Sequence, residues 1–149
     1  VTDDERLMRE ALRLARDGET AGEVPVGAVV AVGGEILGRG WNAPIARNDP
    51  TAHAEIVALR EAAAAMRNYR LEGASFYCTL EPCVMCAGAL VHARVERLVF
   101  GARDLRFGGV RSKFRIADSE ILNHRIEIIE GVLGPECVEL LRGFFTGKR

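Results

Sequence analysis

The chain has 149 residues, with 20 Lys and Arg against 21 Asp and Glu for a formal charge of −1, 48% apolar residues and four Cys. That length fits one domain spanning residues 1–149, and the apolar fraction is too high for a disordered chain. No apolar run approaches the roughly 20 residues of a spanning helix, the charged start VTDDERLMRE is expected to be neither a signal peptide nor an anchor, and four Cys in a chain this long are no disulfide scaffold.

Thr2 and Glu5 have capping-box spacing, and Leu7, Met8, Ala11, Leu12 and Ala15 follow on one helical face, with Gly18 expected to end the pattern. Residues 26–32 are apolar and β-branched, Gly33-Gly34 is a two-residue hairpin signal, and residues 35–41 read as the returning strand. Residues 42–50 carry two Pro and two Asn and read as a loop. The Ala-rich stretch 54–66 predicts a helix. Residues 74–80 read as a strand, Pro82 sits where a helix would begin, and residues 84–93 continue that helix. A strand over 95–100, a long basic loop over 102–118 and a strand over 125–130 follow. Pro135 opens a final helix with Val138, Leu141 and Phe145 near one face.

A hairpin followed by helical crossovers predicts an α/β chain: a three-layer α/β/α sandwich on a mixed five-stranded sheet. The first two strands should be antiparallel and the later ones parallel, because a helical crossover returns the chain in the same direction. Val-rich strands with few polar positions predict burial on both sheet faces.

The chemically informative residues are His53 and Glu55 in Thr51-Ala-His-Ala-Glu55, and Cys83 and Cys86 in Glu81-Pro-Cys-Val-Met-Cys86. Two Cys three apart at a helix start share a face, and the unpaired N–H groups there favour thiolate. His53 precedes a second helix, so two facing helix starts would offer two sulfurs and one imidazole. Three protein ligands and an open tetrahedral position describe catalytic zinc, and soft sulfur with imidazole selects Zn²⁺ over Mg²⁺ or Ca²⁺. Glu55 would not point the way His53 does and is a poor co-ligand, but it can face the open position. There it would exchange protons with a water whose pKa zinc lowers from 15.7 to about 7. A structural zinc site would need a second Cys pair, and Cys78 and Cys137 read instead as buried small hydrophobes. A redox Cys pair would leave His53 and Glu55 unexplained.

His-x-Glu with Pro-Cys-x-x-Cys resembles the zinc-dependent nucleoside and nucleobase deaminases. Val24-Pro-Val-Gly-Ala-Val29, Asn48 through Glu55, Asn68-Tyr-Arg-Leu71, Thr79 through Gly88, Phe100-Gly-Ala-Arg-Asp104, Asn123-His-Arg125 and Phe144-Phe145 extend the likeness over nearly the whole chain. Together they are similar to the bacterial tRNA-specific adenosine deaminases. The resemblance implies the cytidine deaminase-like fold, one Zn²⁺ per subunit on His53, Cys83 and Cys86, a homodimer, and a cytoplasmic enzyme. It implies hydrolysis of the C6 amine of a wobble adenosine in a tRNA anticodon loop, giving inosine. In that reading Glu55 moves the protons. The Ala54 N–H holds the reacting oxygen, the Pro82 carbonyl accepts from the leaving amine, Asn42 reads a ring edge, and Val26 and Pro44 line the base pocket. The loop after Asp104, Leu-Arg-Phe-Gly-Gly-Val-Arg-Ser-Lys-Phe, departs from the family pattern, and Cys78 stands where Val is more usual.

A charge of −1 is unusual for an RNA enzyme, since a basic domain is the common footprint. The basic residues cluster, however, from Arg94 to Arg115 and in the tail ending at Lys148 and Arg149. Arg103, Arg106, Lys148 and Arg149 are thus candidates for phosphate contacts, and Phe144 and Phe145 for packing against a nucleotide. Asp104 is a candidate to accept from a ribose 2′-OH. Deamination of a free base or nucleoside shares the zinc motif without needing this basic stretch. A zinc-stabilised RNA-binding module would have no use for Glu55.

Overall fold

The structure is a computed structural model and describes residues 2–147. Helix α1, Asp3–Thr20, starts where Thr2 Oγ1 accepts the Glu5 N–H at 3.1 Å, and Asp3, Asp4 and Glu5 place negative charge on its first turn. Hairpin β1 (Gly27–Val32) and β2 (Glu35–Trp41) turns at Gly33 and Gly34, both at positive φ. After the short helix α2 (Pro44–Arg47) come α3 (Ala54–Met66), β3 (Ser75–Leu80), α4 (Val84–His92), β4 (Arg97–Ala102), β5 (Glu127–Glu130) and α5 (Gly134–Gly147).

The five strands form one mixed sheet in the order β2-β1-β3-β4-β5. β1 runs antiparallel to both β2 and β3, and β3, β4 and β5 run parallel. The crossover through α3 makes β3 run the same way as β2; placed beside β1, it is therefore antiparallel to its neighbour. Alternation along the strands sorts two cores. Val30, Phe76, Cys78, Leu98 and Phe100 face α3 and α4, while Val29, Ala31, Tyr77 and Val99 face α1 and α5. The expected α/β/α sandwich is the observed architecture. Among the described residues no helix is long and apolar enough to cross a membrane.

Four expectations need correction. Gly18 does not end α1 but lies inside it, buried, where a Cβ would press on the Trp41 side chain. The loop 42–50 contains α2, begun by Pro44 in the first turn. Burial on both faces holds for central β1, β3 and β4 but not for the edges β2 and β5, which expose alternate or terminal residues. On α5 the buried side chain is Cys137, with Leu140 and Leu141 partly buried, so Val138 and Phe145 are left exposed.

Candidate active site

The site forms where the N-termini of α3 and α4 meet at the ends of β1 and β3. His53 is the N-cap of α3 and Cys83 the N-cap of α4, both in extended backbone conformation. The close approach of α3 to the sheet depends on β2: a Cβ at Gly38 would overlap the Ala58 carbonyl, and one at Gly40 the Ala54 carbonyl. The ligand atoms of His53, Cys83 and Cys86 lie within 4.8 Å of one another. His53 Nδ1 is 3.6 Å from Cys83 Sγ and 3.5 Å from Cys86 Sγ. Tetrahedral zinc, with bonds of about 2.3 Å to sulfur and about 2.1 Å to nitrogen, sets such a pair about 3.6 Å apart. The donor set and its spacing therefore fit Zn²⁺. The Cys86 thiol and His53 hold the Cys83 thiol down at about 4, while donation to Cys83 and burial raise Cys86. Such a cluster keeps one thiolate ready, and a divalent cation draws off the second proton. Cys78 and Cys137 are buried free thiols, as expected of core residues.

Glu55 follows in the first turn of α3, 4% exposed, and lines the same cleft as His53 and Cys83. Burial pushes its carboxyl up to about 7, the range in which a group both takes and returns a proton at neutral pH. The cleft measures about 440 Å³, and its walls include Val24, Val26, Asn42, Leu80, Asp104 and Phe107. A separate groove of about 480 Å³ beside Trp41 contains none of the metal-ligating residues.

Three expected roles change on this geometry. The Ala54 N–H donates to Asn42 Oδ1 at 2.8 Å, so it is already engaged, and Asn42 caps α3, whose N-cap His53 supplies no side-chain bond. The Pro82 carbonyl accepts the Gly109 N–H at 2.8 Å and so anchors the loop after Asp104. Pro44 starts α2 and is not among the residues lining the cleft. Val26, 4% exposed, does line it.

Two buried carboxylates carry structure that the sequence reading did not assign to them. Glu81, 2% exposed, accepts five hydrogen bonds: from the N–H groups of Asp104, Val110, Arg111 and Ser112 and from the Ser112 hydroxyl. Although burial opposes the charge, these donors hold its carboxyl below the usual range. Gly108 packs against that carboxylate with no room for a Cβ. Glu23, also 2% exposed, accepts from Ile45 and Ala46 N–H and caps α2. The signal for Glu81 was its place in the Cys motif; for Glu23 there was none, because its partners are over twenty residues away.

The basic stretch is less free than its sequence suggests. Arg97 bonds Asp4, Arg103 pairs with Glu130 at 2.8 Å, and Arg111 pairs with Asp118 at 3.1 Å. Arg106, Lys113 and Arg115 make no ion pair among the described residues, and the Arg106 guanidinium lies 5.7 Å from the Phe107 ring centroid. Asp104 Oδ1 accepts from Arg106 and Phe107 N–H, shaping the turn, while Asp104 lines the cleft. Phe145 is 58% exposed and meets Phe144 edge-on at 5.2 Å. Lys148 and Arg149 lie outside the described residues.

The family model for the cytidine and deoxycytidylate deaminase zinc-binding region matches residues 1–102. A tRNA-specific adenosine deaminase of Haemophilus influenzae is 50% identical over 98% of this chain and 85% of its own length. One from Bacillus subtilis is 45% identical over 100% and 92%. Among solved structures, one from work on A-to-I editing by tRNA:A34 deaminases at the wobble position superposes with a TM-score of 0.88 at 40% identity, covering 91% of this chain and 99% of that one. A guanine deaminase from Nitrosomonas europaea superposes at 0.82 with 26% identity, covering 95% and 84%.

Proposed function

Because the chain belongs to the cytidine and deoxycytidylate deaminase family, with tRNA-specific adenosine deaminases as relatives at 45–50% identity, we propose that it hydrolyses the wobble adenosine of a tRNA anticodon loop to inosine. The observation that carries the chemistry is a buried Glu55 that lines one cleft with His53 and Cys83 of the zinc-fitting His53–Cys83–Cys86 triad. When bound there, zinc supplies Lewis acidity and lowers the pKa of a water ligand.

The chain's own groups do the rest. Glu55 takes a proton from the attacking water and delivers it to the adenine ring nitrogen next to C6, then takes the second proton from the hydroxyl now on C6 and delivers it to the departing amine. The balance is adenosine plus water to inosine plus ammonia. Its burial suits both directions of transfer, since a carboxyl near 7 gives up a proton as readily as it accepts one. Asn42 spends its carbonyl on Ala54 N–H, which leaves its NH₂ as the donor for an acceptor on the base edge. Val26 and Leu80 contribute apolar wall, and Phe107 stands at the mouth.

The cleft takes one base, so the nucleotide must come from a loop or be flipped out of a stack. Relatives named for tRNA, and the cations Arg106, Lys113 and Arg115, unpaired among the described residues, support RNA as its carrier. Phe144, Phe145 and the tail residues Lys148 and Arg149 remain candidates for the same surface, as does Arg103 when Glu130 releases it. Asp104 keeps the role of accepting from a ribose 2′-OH with its second oxygen; an unchanged RNA/DNA preference in Asp104→Asn would remove that role.

Residues 1–149 act as a single deaminase domain in this reading, in the cytoplasm, where four free thiols stay reduced. A homodimer is supported by Val84 and Met85, 43% and 37% exposed on α4 beside exposed Leu122. Sedimentation at the mass of one chain would remove it.

The experiment incubates zinc-loaded protein with an anticodon stem-loop, free adenosine, guanine and cytidine. Inosine is expected from the stem-loop alone; turnover of a free base or nucleoside in preference to it would overturn the RNA assignment. Glu55→Gln should lower kcat by about 10²–10⁴-fold with zinc content unchanged. Retained turnover in that variant would overturn the proton-transfer role.

A further inference from the structure

The chemistry occupies the floor of the cleft and leaves its mouth unexplained. Phe107 lines the cleft that holds His53 and Glu55, yet the residue is 62% exposed. A scattered surface aromatic is ordinary, but the backbone under this one is fixed from several sides. Asp104 Oδ1 accepts the Phe107 N–H at 3.2 Å, the Asp104 carbonyl accepts the Gly108 N–H at 2.9 Å, and the Pro82 carbonyl accepts the Gly109 N–H at 2.8 Å. The buried Glu81 carboxylate gathers the N–H groups of Asp104, Val110, Arg111 and Ser112 beneath the loop. Gly108 and Gly109 let that loop press onto Glu81 and onto the Cys83 backbone, where any side chain would collide. The ring is thus held at the mouth of the site on a loop braced against a metal-ligand segment. Beside it, 5.7 Å from its centroid, lies the Arg106 guanidinium, which has no ion-pair partner among the described residues.

A base that enters the cleft leaves its stack, and the nucleotide beside it loses a stacking surface on one side. An aromatic ring at the cleft mouth is positioned to replace that surface, and a cation next to the ring suits the linking phosphate. We propose that Phe107 and Arg106 form a stacking subsite for the nucleotide flanking the one in the cleft, with Glu81 as the positioning residue that holds the subsite in place. This rests on the reading of the cleft as a site for one nucleotide of an RNA loop.

The test measures inosine formation on three stem-loops: one intact, and two made abasic on either side of the target adenosine. For the unsubstituted protein, one abasic substrate should raise KM about tenfold with kcat within about twofold, the range that loss of one base–aromatic stack produces. Phe107→Ala should raise KM about tenfold on the intact loop and show no further penalty on that abasic substrate. Phe107→Trp should restore the low KM. Because the side chain is exposed, melting temperatures of both variants should match the parent. Phe107→Ala with unchanged KM, or penalties that multiply, would overturn the subsite. Equal KM for all three loops in the unsubstituted protein would do the same. Failure of the underlying functional reading looks different: zinc-loaded unsubstituted protein would form no inosine on any loop.

Discussion

Asn42 shows how one side chain can serve packing and chemistry together. Its Oδ1 satisfies a first-turn N–H of α3 that His53, as N-cap, cannot, and its NH₂ is left for a base. Asn42→Ala should therefore destabilise the protein by about 1 kcal/mol, the usual cost of a lost cap, and also lower kcat/KM. Asn42→Asp keeps the acceptor and drops the donor. It should recover the stability in urea denaturation but not the activity in an inosine assay; recovery of both would show that the amide makes no contact with substrate. The ligands and Glu55 were legible at this scale, because motif spacing is local chemistry. The engagement of the Ala54 N–H and the Pro82 carbonyl was not, since their partners Asn42 and Gly109 are twelve and twenty-seven residues away.

Between elements, the tie from α1 to the sheet is a buried-edge network. Asp4 accepts from Tyr77 Oη at 2.7 Å and from Arg97 Nη2 at 3.0 Å. The Arg97 guanidinium holds the Asp4 carboxyl below its ordinary 3.8 despite partial burial, and Tyr77 adds to this. A carboxylate depressed on folding contributes stability above its unfolded pKa and loses it as pH falls through the folded value. Asp4→Asn should thus cost about 1–2 kcal/mol near pH 7. The gap between variant and parent should close as pH drops below 3.8. Urea denaturation across that range checks it, and a pH-independent gap would assign the loss to packing alone. Element identities were legible from periodicity and capping, including α3 from Ala54 to Met66. The end of α1 was missed because Gly18 is a packing device for Trp41, not a stop signal. α2 was missed because its cap, Glu23, comes from outside the local sequence.

For the whole molecule, the segregation of charge along the sequence turns into pairing in space. Arg97 and Arg103 are matched by acids from other elements and Arg111 by Asp118 in its own loop, which leaves Arg106, Lys113 and Arg115 of that loop unpaired among the described residues. A small electrostatic footprint follows. The logarithm of stem-loop affinity should fall with the logarithm of salt concentration with a slope of about −2 to −3, as expected for three or four phosphate contacts to a single strand. A slope beyond about −5 would mean that the paired arginines open to engage RNA. Arg106→Ala should reduce the slope by about 0.7.

The sequence by itself determined the class of chemistry. Ligand type, spacing and position before a helix are properties of a few consecutive residues, and they name the metal and the proton carrier. Alternation and helical period likewise determined the elements, because burial of one face is written into each segment. Tertiary structure decided what those residues have left to offer. It consumed the Ala54 N–H and the Pro82 carbonyl, neutralised three of the seven cations between Arg94 and Arg115, buried Glu81 under the loop after Asp104 and raised Phe107 at the mouth of the cleft. Each is a matter of which distant groups satisfy one another once water is excluded, and no local pattern in the chain encodes that pairing.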